Sequence, residues 1–400
     1  MIFTGNRNFA AMGSKSLGNS EFSRHNEEAK AVWEAYRSGK PIRVPVTLWS
    51  DARYFLLDPN FNPERPISFR DFIEDADTMM DVQLRGAEQR AHTVALYCDD
   101  QAGPPEEYHV TVDMLRFFDA GFFGCSLRYC DGQMPDTTPI LSGGMKNLLF
   151  DRGLPDPLTG GVFSWAHETY AKMMDKLRKG FNYRGKPVYF DPFGMGTDGP
   201  LTVATSLRGT ELYMDFYTDP GYVHQLLGFV TDGTIARIRA HREFFGLPPV
   251  SDGWGYADDA VQMLSKEMVR EFVLPYHKKL KKELSNADQV SLHLCGDATR
   301  HFKMFRDELG VTSFDTGFPI DFGWVRKELG PDVEIQGGVR APQLAAGTVD
   351  EIRIESRRIL ESGIMQGGRF ILKEANDLVP CTPLENLNAL YQTARTYGVY

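Results

Sequence analysis

The feature that most constrains this chain is a recurrence of short apolar runs, each bounded by Gly, Pro or Asp and separated by helical patterns. Eight are counted: "RVPVTLW" (43–49), "FFGCSLRY" (122–129), "KPVYFD" (186–191), "VSDGWGY" (250–256), "QVSLHLC" (289–295), "VTSFDT" (311–316), "VEIQGG" (333–338) and "RFILKE" (369–374). Parallel strands need a long crossover, usually a helix, so this alternation predicts a parallel sheet covered by helices. Eight such units close a (β/α)8 TIM barrel, the α/β fold class expected here. No low-complexity linker divides the chain. One barrel domain is expected over 40–400, behind an N-terminal arm and leading helix at 1–39. The Gly-, Ser- and Asn-rich stretch 1–23 has no periodicity and reads as a mobile arm.

Helix signals support this division. After Ser265, a predicted N-cap, Met268, Phe272, Tyr276, Leu280 and Leu284 recur every four residues, a core-facing stripe opposite Lys278, Lys281 and Lys282. Thr348 with Glu351, and Thr382-Pro383 with Glu385, each predict a capping box just after a strand. The pairs Gly337-Gly338 and Gly367-Gly368 lack the context of a phosphate loop and read as tight turns.

Composition narrows the partners. A formal charge of −10 with both signs scattered disfavours a nucleic-acid groove or an anionic membrane, leaving small molecules and proteins. Five cysteines, an odd number spread over 400 residues, suit free thiols in a reducing cytoplasm, which is the expected location. No apolar run approaches the roughly 20 residues that span a bilayer.

The chemistry concentrates at "SLHLCGDA". Residues two apart on a strand share a face, so His293 and Cys295 point together, and Gly296-Asp297 ends the strand at the C-terminal rim where barrel active sites form. An imidazole and a thiolate side by side supply two of the three protein ligands of a catalytic zinc. They equally suit a hydrogen-bonded core histidine beside a packed thiol. Cys381, in front of the last predicted helix, returns to the same rim and is the candidate third ligand, with Glu374, Asn376 and Asp377 close by as oxygen donors. Of Asp258 and Asp259, one carboxylate enters the site as base or ligand while the other caps a helix; Asp258 is the candidate catalytic residue. By strand parity Asp315 and Gln336 also face the rim. Cys125 reads as strand packing and Cys130 as a loop thiol; "CDGQMPDTTP" (130–139) is a rim loop or a plain connection. His109, His167, His224, His277 and His301 stand in helical or loop contexts without partners.

In order and spacing, "GPLTVATSLRG", "MDFYTDP", "YADDAVQMLSKEMVREFVLPYHKKL", "SLHLCGDA", "DVEIQGGV", "GTVDEIRIESRRIL" and "GGRFILKEANDLVPCTPLENLNAL" resemble the uroporphyrinogen decarboxylase superfamily, a likeness covering about residues 40–400. The resemblance implies a (β/α)8 barrel with its pocket at the C-terminal rim. It also implies one of two chemistries. Porphyrin decarboxylases work without metal and carry an early RQAGRY motif; here the matching stretch is "WSDARY", which keeps Arg53 and Tyr54 but has Trp49 for the first arginine and introduces Asp51. A multiply charged substrate needs several bidentate guanidinium partners, so that loss argues against porphyrin. In the cobamide-dependent methyltransferases, an HxC pair like His293 and Cys295 and a later cysteine bind zinc. Here that later cysteine falls at Asn376 rather than Cys381. Either Cys381 takes over from a shifted position, Glu374 or another oxygen completes the site, or zinc is absent.

The leading expectation is therefore a zinc-dependent methyltransferase that exchanges a methyl group between a corrinoid (cobalamin) carrier, on a partner protein, and a small substrate such as a methyl ether or a thiol. Its zinc ligands are His293, Cys295 and Cys381, and Trp49, Tyr54, Asp315 and Gln336 contact substrate. With Phe55, the first two aromatics either line an apolar pocket or pack the core. The alternative is a metal-free decarboxylase of a porphyrin or smaller carboxylic acid, with Arg53 and Asp258 as the catalytic groups. A third reading is a tetrapyrrole-binding scaffold without turnover.

Overall fold

The computed structural model describes residues 19–64 and 66–400. Most of the expected arm, 1–18, lies outside the described residues. The leading helix spans Asn19–Arg37.

The second half of the chain forms the parallel sheet that the apolar runs predict. Trp254–Ala257, Val290–Leu294, Val311–Thr316, Glu334–Gly337 and Phe370–Leu372 pair side by side in chain order, all parallel. Beyond its last strand, Val46 bridges Leu372 in parallel, with Thr47 N–H donating to Leu372 O at 3.0 Å and Leu372 N–H to Pro45 O at 2.9 Å. At the other edge Asp198 bridges Ala257. Tyr108–Val110 pairs in parallel with Lys186–Phe190. The fold is thus α/β of the TIM-barrel kind, with a ladder that is continuous over five strands and extended at both edges by single bridges.

The sequence misplaces the second strand. Within 122–129 only Leu127–Arg128 is extended, paired antiparallel with Asp136–Thr137 in a surface ribbon, while Phe118–Phe122 is helical. Tyr108–Val110 provides the parallel strand instead. The run "FFGCSLRY" is apolar because Phe122, Phe123 and Cys125 pack into the core, not because it joins the barrel sheet.

Parity positions the site. In Val290–Leu294 the side chains of Val290, Leu292 and Leu294 are buried while Ser291 and His293 face the opposite way. Phe314, fully buried on the next strand, stacks on Phe302 of the Thr299–Met304 helix at 4.6 Å between centroids. Burying one such ring stabilises by about 1.5–3 kcal/mol, so the outward face is held against the helices and the alternate residues are left for the barrel interior.

Ser265 caps its helix through Met268 N–H, but the expected single stripe is two helices, Lys266–Phe272 and Leu274–Leu284. Pro275 lacks the N–H that would continue the first helix and sits in the opening turn of the second. The Thr348–Glu351 capping box forms. The second does not: the Leu384–Tyr397 helix has Pro383 at its N-cap, and the Thr382 hydroxyl donates to Val379 O. Gly367 and Gly368 make a positive-φ turn, whereas Gly337 ends a strand, where a Cβ would lie 2.2 Å from Thr316 Oγ1. Gly337 is there for close packing beneath the rim.

Candidate metal centre

Three strand ends converge at the C-terminal rim. His293 and Asp315 are register partners on adjacent strands, and Ala257, two residues before Asp259, is the register partner of His293 on the other side. His293 Nδ1 lies 2.8 Å from Asp315 Oδ2, and Nε2 lies 2.8 Å from Cys295 Sγ. The Cys295 N–H donates to Asp259 Oδ1 at 2.6 Å. One donor atom from each of Asp259, His293 and Cys295 lies within 4.8 Å of the others, the one such group among the described residues.

Neighbours fix this arrangement. A carboxylate only accepts, so Asp315 fixes the proton on Nδ1 and turns Nε2 toward the centre, the relation that orients metal-bound histidines. Lys373 Nζ holds the same Asp315 oxygen at 3.1 Å. Burial works against the Asp315 carboxylate, but His293 and Lys373 hold it below its ordinary range. Burial likewise disfavours a charged His293; the hydrogen bonds to Asp315 and Cys295 outweigh it and raise its pKa to about 10. Gly317 admits the neighbouring strand end, since a Cβ there would sit 2.7 Å from Cys295 Cα.

The other expected site residues divide. Cys381 is exposed and outside the cluster: it has a positive φ of 61° and directs Sγ toward Asp58 Oδ1, 3.8 Å away. The third side chain that comes within reach of His293 and Cys295 is that of Asp259, and Asn376 Oδ1 approaches Cys295 Sγ at 3.5 Å. Asp258 stands at the N-cap position of the Asp259–Met263 turn, but its side chain does not cap that turn. It is sealed from solvent, accepts from Thr202 N–H at 2.9 Å and the Thr202 hydroxyl at 2.7 Å, and pairs with His277 Nε2 at 2.6 Å, so it has no open face for catalysis. His277 therefore has a partner, contrary to expectation, as has His109, on a strand, with Nδ1 2.8 Å from Asp191.

Arg53 is at the rim but engaged, with Nε 2.7 Å from Asp51 and its guanidinium on Asp377, which Arg116 also contacts at 2.6 Å. Asp51, the intruding acid of "WSDARY", caps the Ala52–Leu56 helix. Trp49 is 62% exposed, and its backbone N–H donates to Oε1 of buried Glu374. Tyr54 is buried against Phe55, and burial, with Asp58 and Cys381 adding, pushes its phenol up to about 12. Gln336 turns to the layer beneath, donating to Glu334 Oε1 at 3.0 Å. The 130–139 loop does cover a cavity of about 410 Å3, which Arg116 and Asp198 also line. Asp198 was not anticipated; its only signal was its place in "GTDGPLTVATS".

An α/β barrel with a nitrogen, sulfur and oxygen donor set at its C-terminal rim defines a class of enzyme scaffold. The chain belongs to the uroporphyrinogen decarboxylase (URO-D) family, whose model matches residues 191–397. It is 29% identical to the methylated-thiol–coenzyme M methyltransferase of Methanosarcina mazei, over 69% of each chain. It is 25% identical to the uroporphyrinogen decarboxylase of Myxococcus xanthus, over 89% of this chain and 93% of that one. The methylcobamide:CoM methyltransferase of Methanosarcina barkeri is 26% identical, over 50% of this chain and 57% of its own. A solved methyltransferase from Methanosarcina mazei shares the fold, with TM-score 0.62 and 19% identity over 92% of this chain and 98% of that one. No described helix is long and apolar enough to cross a membrane.

Proposed function

We propose that the protein is a zinc-dependent methyltransferase moving a methyl group between a corrinoid carrier, held by a partner protein, and a small substrate. The observation that carries this reading is the convergence of Asp259, His293 and Cys295, with His293 oriented by Asp315. A nitrogen, a thiolate and a carboxylate oxygen suit zinc and leave a fourth position for substrate. Likeness to methyltransferases named for methylated thiols and methylcobamide supports the same chemistry. In this reading His293 Nε2, Cys295 Sγ and Asp259 hold the metal, and Asn376 stands beside it. When bound, zinc supplies Lewis acidity that lowers the pKa of a thiol or polarises a leaving heteroatom. Asp315 and Lys373 keep the imidazole aligned, and exposed Trp49 is available to a substrate or carrier at the rim.

The decarboxylase alternative draws less support, because Arg53 already faces two carboxylates and Asp258 is enclosed. Elemental analysis of untagged protein tests the proposal. Near-stoichiometric zinc is expected, lost in His293→Ala, Cys295→Ser and Asp259→Ala and retained in Cys381→Ser. Wild-type protein that takes up no zinc when reduced and offered the metal would overturn it.

A further inference from the structure

The loops that carry Asp259 and Cys295 are tied together at three places. Nearest the centre, the Cys295 N–H donates to Asp259 Oδ1 at 2.6 Å, which still leaves that carboxylate a second oxygen. Next, Gln262 packs against Gly296, whose φ is 69° and where an added Cβ would sit 2.0 Å from Gln262 Oε1. Farthest out, Arg300 spans both loops. Its Nη1 donates to Asp297 O at 2.5 Å, and its Nη2 donates to Gln262 O and, at 3.1 Å, to Leu264 O.

Helix formation does not call for an arginine here. Arg300 lies in the first turn of the Thr299–Met304 helix, where a cation opposes the helix dipole. The carbonyls account for it instead. Leu264 O and Asp297 O lie outside any helix or strand and accept from no other backbone N–H among the described residues. A guanidinium presents its donors in a rigid planar fork, so carbonyls that it binds together are held at a fixed separation; an ammonium on a rotatable stem fixes none. The Asp259–Met263 turn has a separate anchor at its start, where the Ala260 N–H donates to the Thr202 hydroxyl at 3.1 Å. Asp259 therefore stands between two anchors, and the one supplied by Arg300 is shared with the Cys295 loop.

We propose that Arg300 is a positioning residue of the metal centre. It clamps the end of the Asp259 turn to the loop after Cys295, and so holds the Asp259 carboxylate within ligand distance of His293 and Cys295 before metal binds. The clamp stands on the hydrogen bonds alone; its effect on metal rests on the zinc-centre reading. Arg300 bonds only to main-chain oxygens, so it acts through the two loops and not on the donors themselves. Without it the turn keeps its Thr202 anchor but loses the tie at its far end. Asp259 is then the ligand that drifts, while His293 and Cys295 remain at the end of their paired strand.

Two measurements on the full chain test this. In metal-free protein, hydrogen exchange at the Cys295 amide should be about three- to tenfold faster in Arg300→Ala than in wild type, the value of one net hydrogen bond, and should approach the rate in Asp259→Ala. In competition with a chromophoric chelator, Arg300→Ala should bind zinc about 10- to 100-fold more weakly than wild type. In an Asp259→Ala background the same substitution should cost less than about twofold, because the ligand it positions is gone. Arg300→Lys keeps the stem and the charge without the planar fork; it guards against a misfolded alanine variant and should fall between the two. An unchanged amide rate, wild-type zinc affinity in both Arg300 variants, or an equal loss with and without Asp259 would each overturn the assignment. Faster exchange in Arg300→Ala beside a wild type that takes up no zinc would defeat the zinc reading, and with it the metal role, while the clamp would stand.

Discussion

Replacing Asp258 separates a structural from a catalytic aspartate. Its carboxylate accepts three hydrogen bonds in a site closed to water, from Thr202 N–H, the Thr202 hydroxyl and His277 Nε2. Asp258→Ala strands the Thr202 N–H and the imidazole donor, while the hydroxyl can rotate. Each stranded buried donor costs about 1–3 kcal/mol. Two stranded donors together give an expected loss of about 2–6 kcal/mol for alanine, against about 1–3 kcal/mol for Asp258→Asn, which keeps an oxygen for Thr202. Urea titrations followed by tryptophan fluorescence read the difference from the midpoint at constant slope. Zinc content, measured on the folded fraction, should be unchanged in Asp258→Asn. Wild-type stability in Asp258→Ala would refute the structural role; a stable variant without activity would return the residue to the reacting centre.

Asp315→Asn should lower zinc affinity about 10- to 100-fold by loosening His293, measured by competition with a chromophoric chelator. Gly317→Ala drives a Cβ into the Cys295 backbone and should lower both zinc occupancy and the thermal midpoint, read together on one preparation. Burial raises the Glu374 carboxyl to about 8, against an ordinary value of 4.5, so its contribution to stability is full below the ordinary value and is lost as pH rises through about 8. Wild type should therefore lose stability relative to Glu374→Gln between about pH 4.5 and 8 in parallel urea titrations, and parallel curves would contradict that.

The later strands were legible because each pairs an apolar face with a turn residue at its end, as in "SLHLCGD". The second was not, since "FFGCSLRY" and "EYHVTVD" both carry β-forming residues and only tertiary pairing gives the strand to the latter. The HxC pair was legible from parity. Its companion was not: the choice between Asp258 and Asp259 depends on which one meets Thr202 and His277, and the exclusion of Cys381 depends on a positive-φ turn that composition does not announce. Asp198 was invisible for a related reason, since its setting is made by acids distant in sequence.

Asn376 holds a φ of 77° with its side-chain oxygen 3.5 Å from the Cys295 sulfur. Asparagine tolerates that left-handed backbone better than most residues, whereas a side chain such as cysteine pays roughly 1–2 kcal/mol there. One codon change at this position therefore separates the present mixed donor set from a centre with two sulfurs, and the backbone sets a small toll on the crossing. A cysteine there would add a second soft donor beside the set of Asp259, His293 and Cys295, changing metal preference and leaving-group reactivity without rebuilding the barrel.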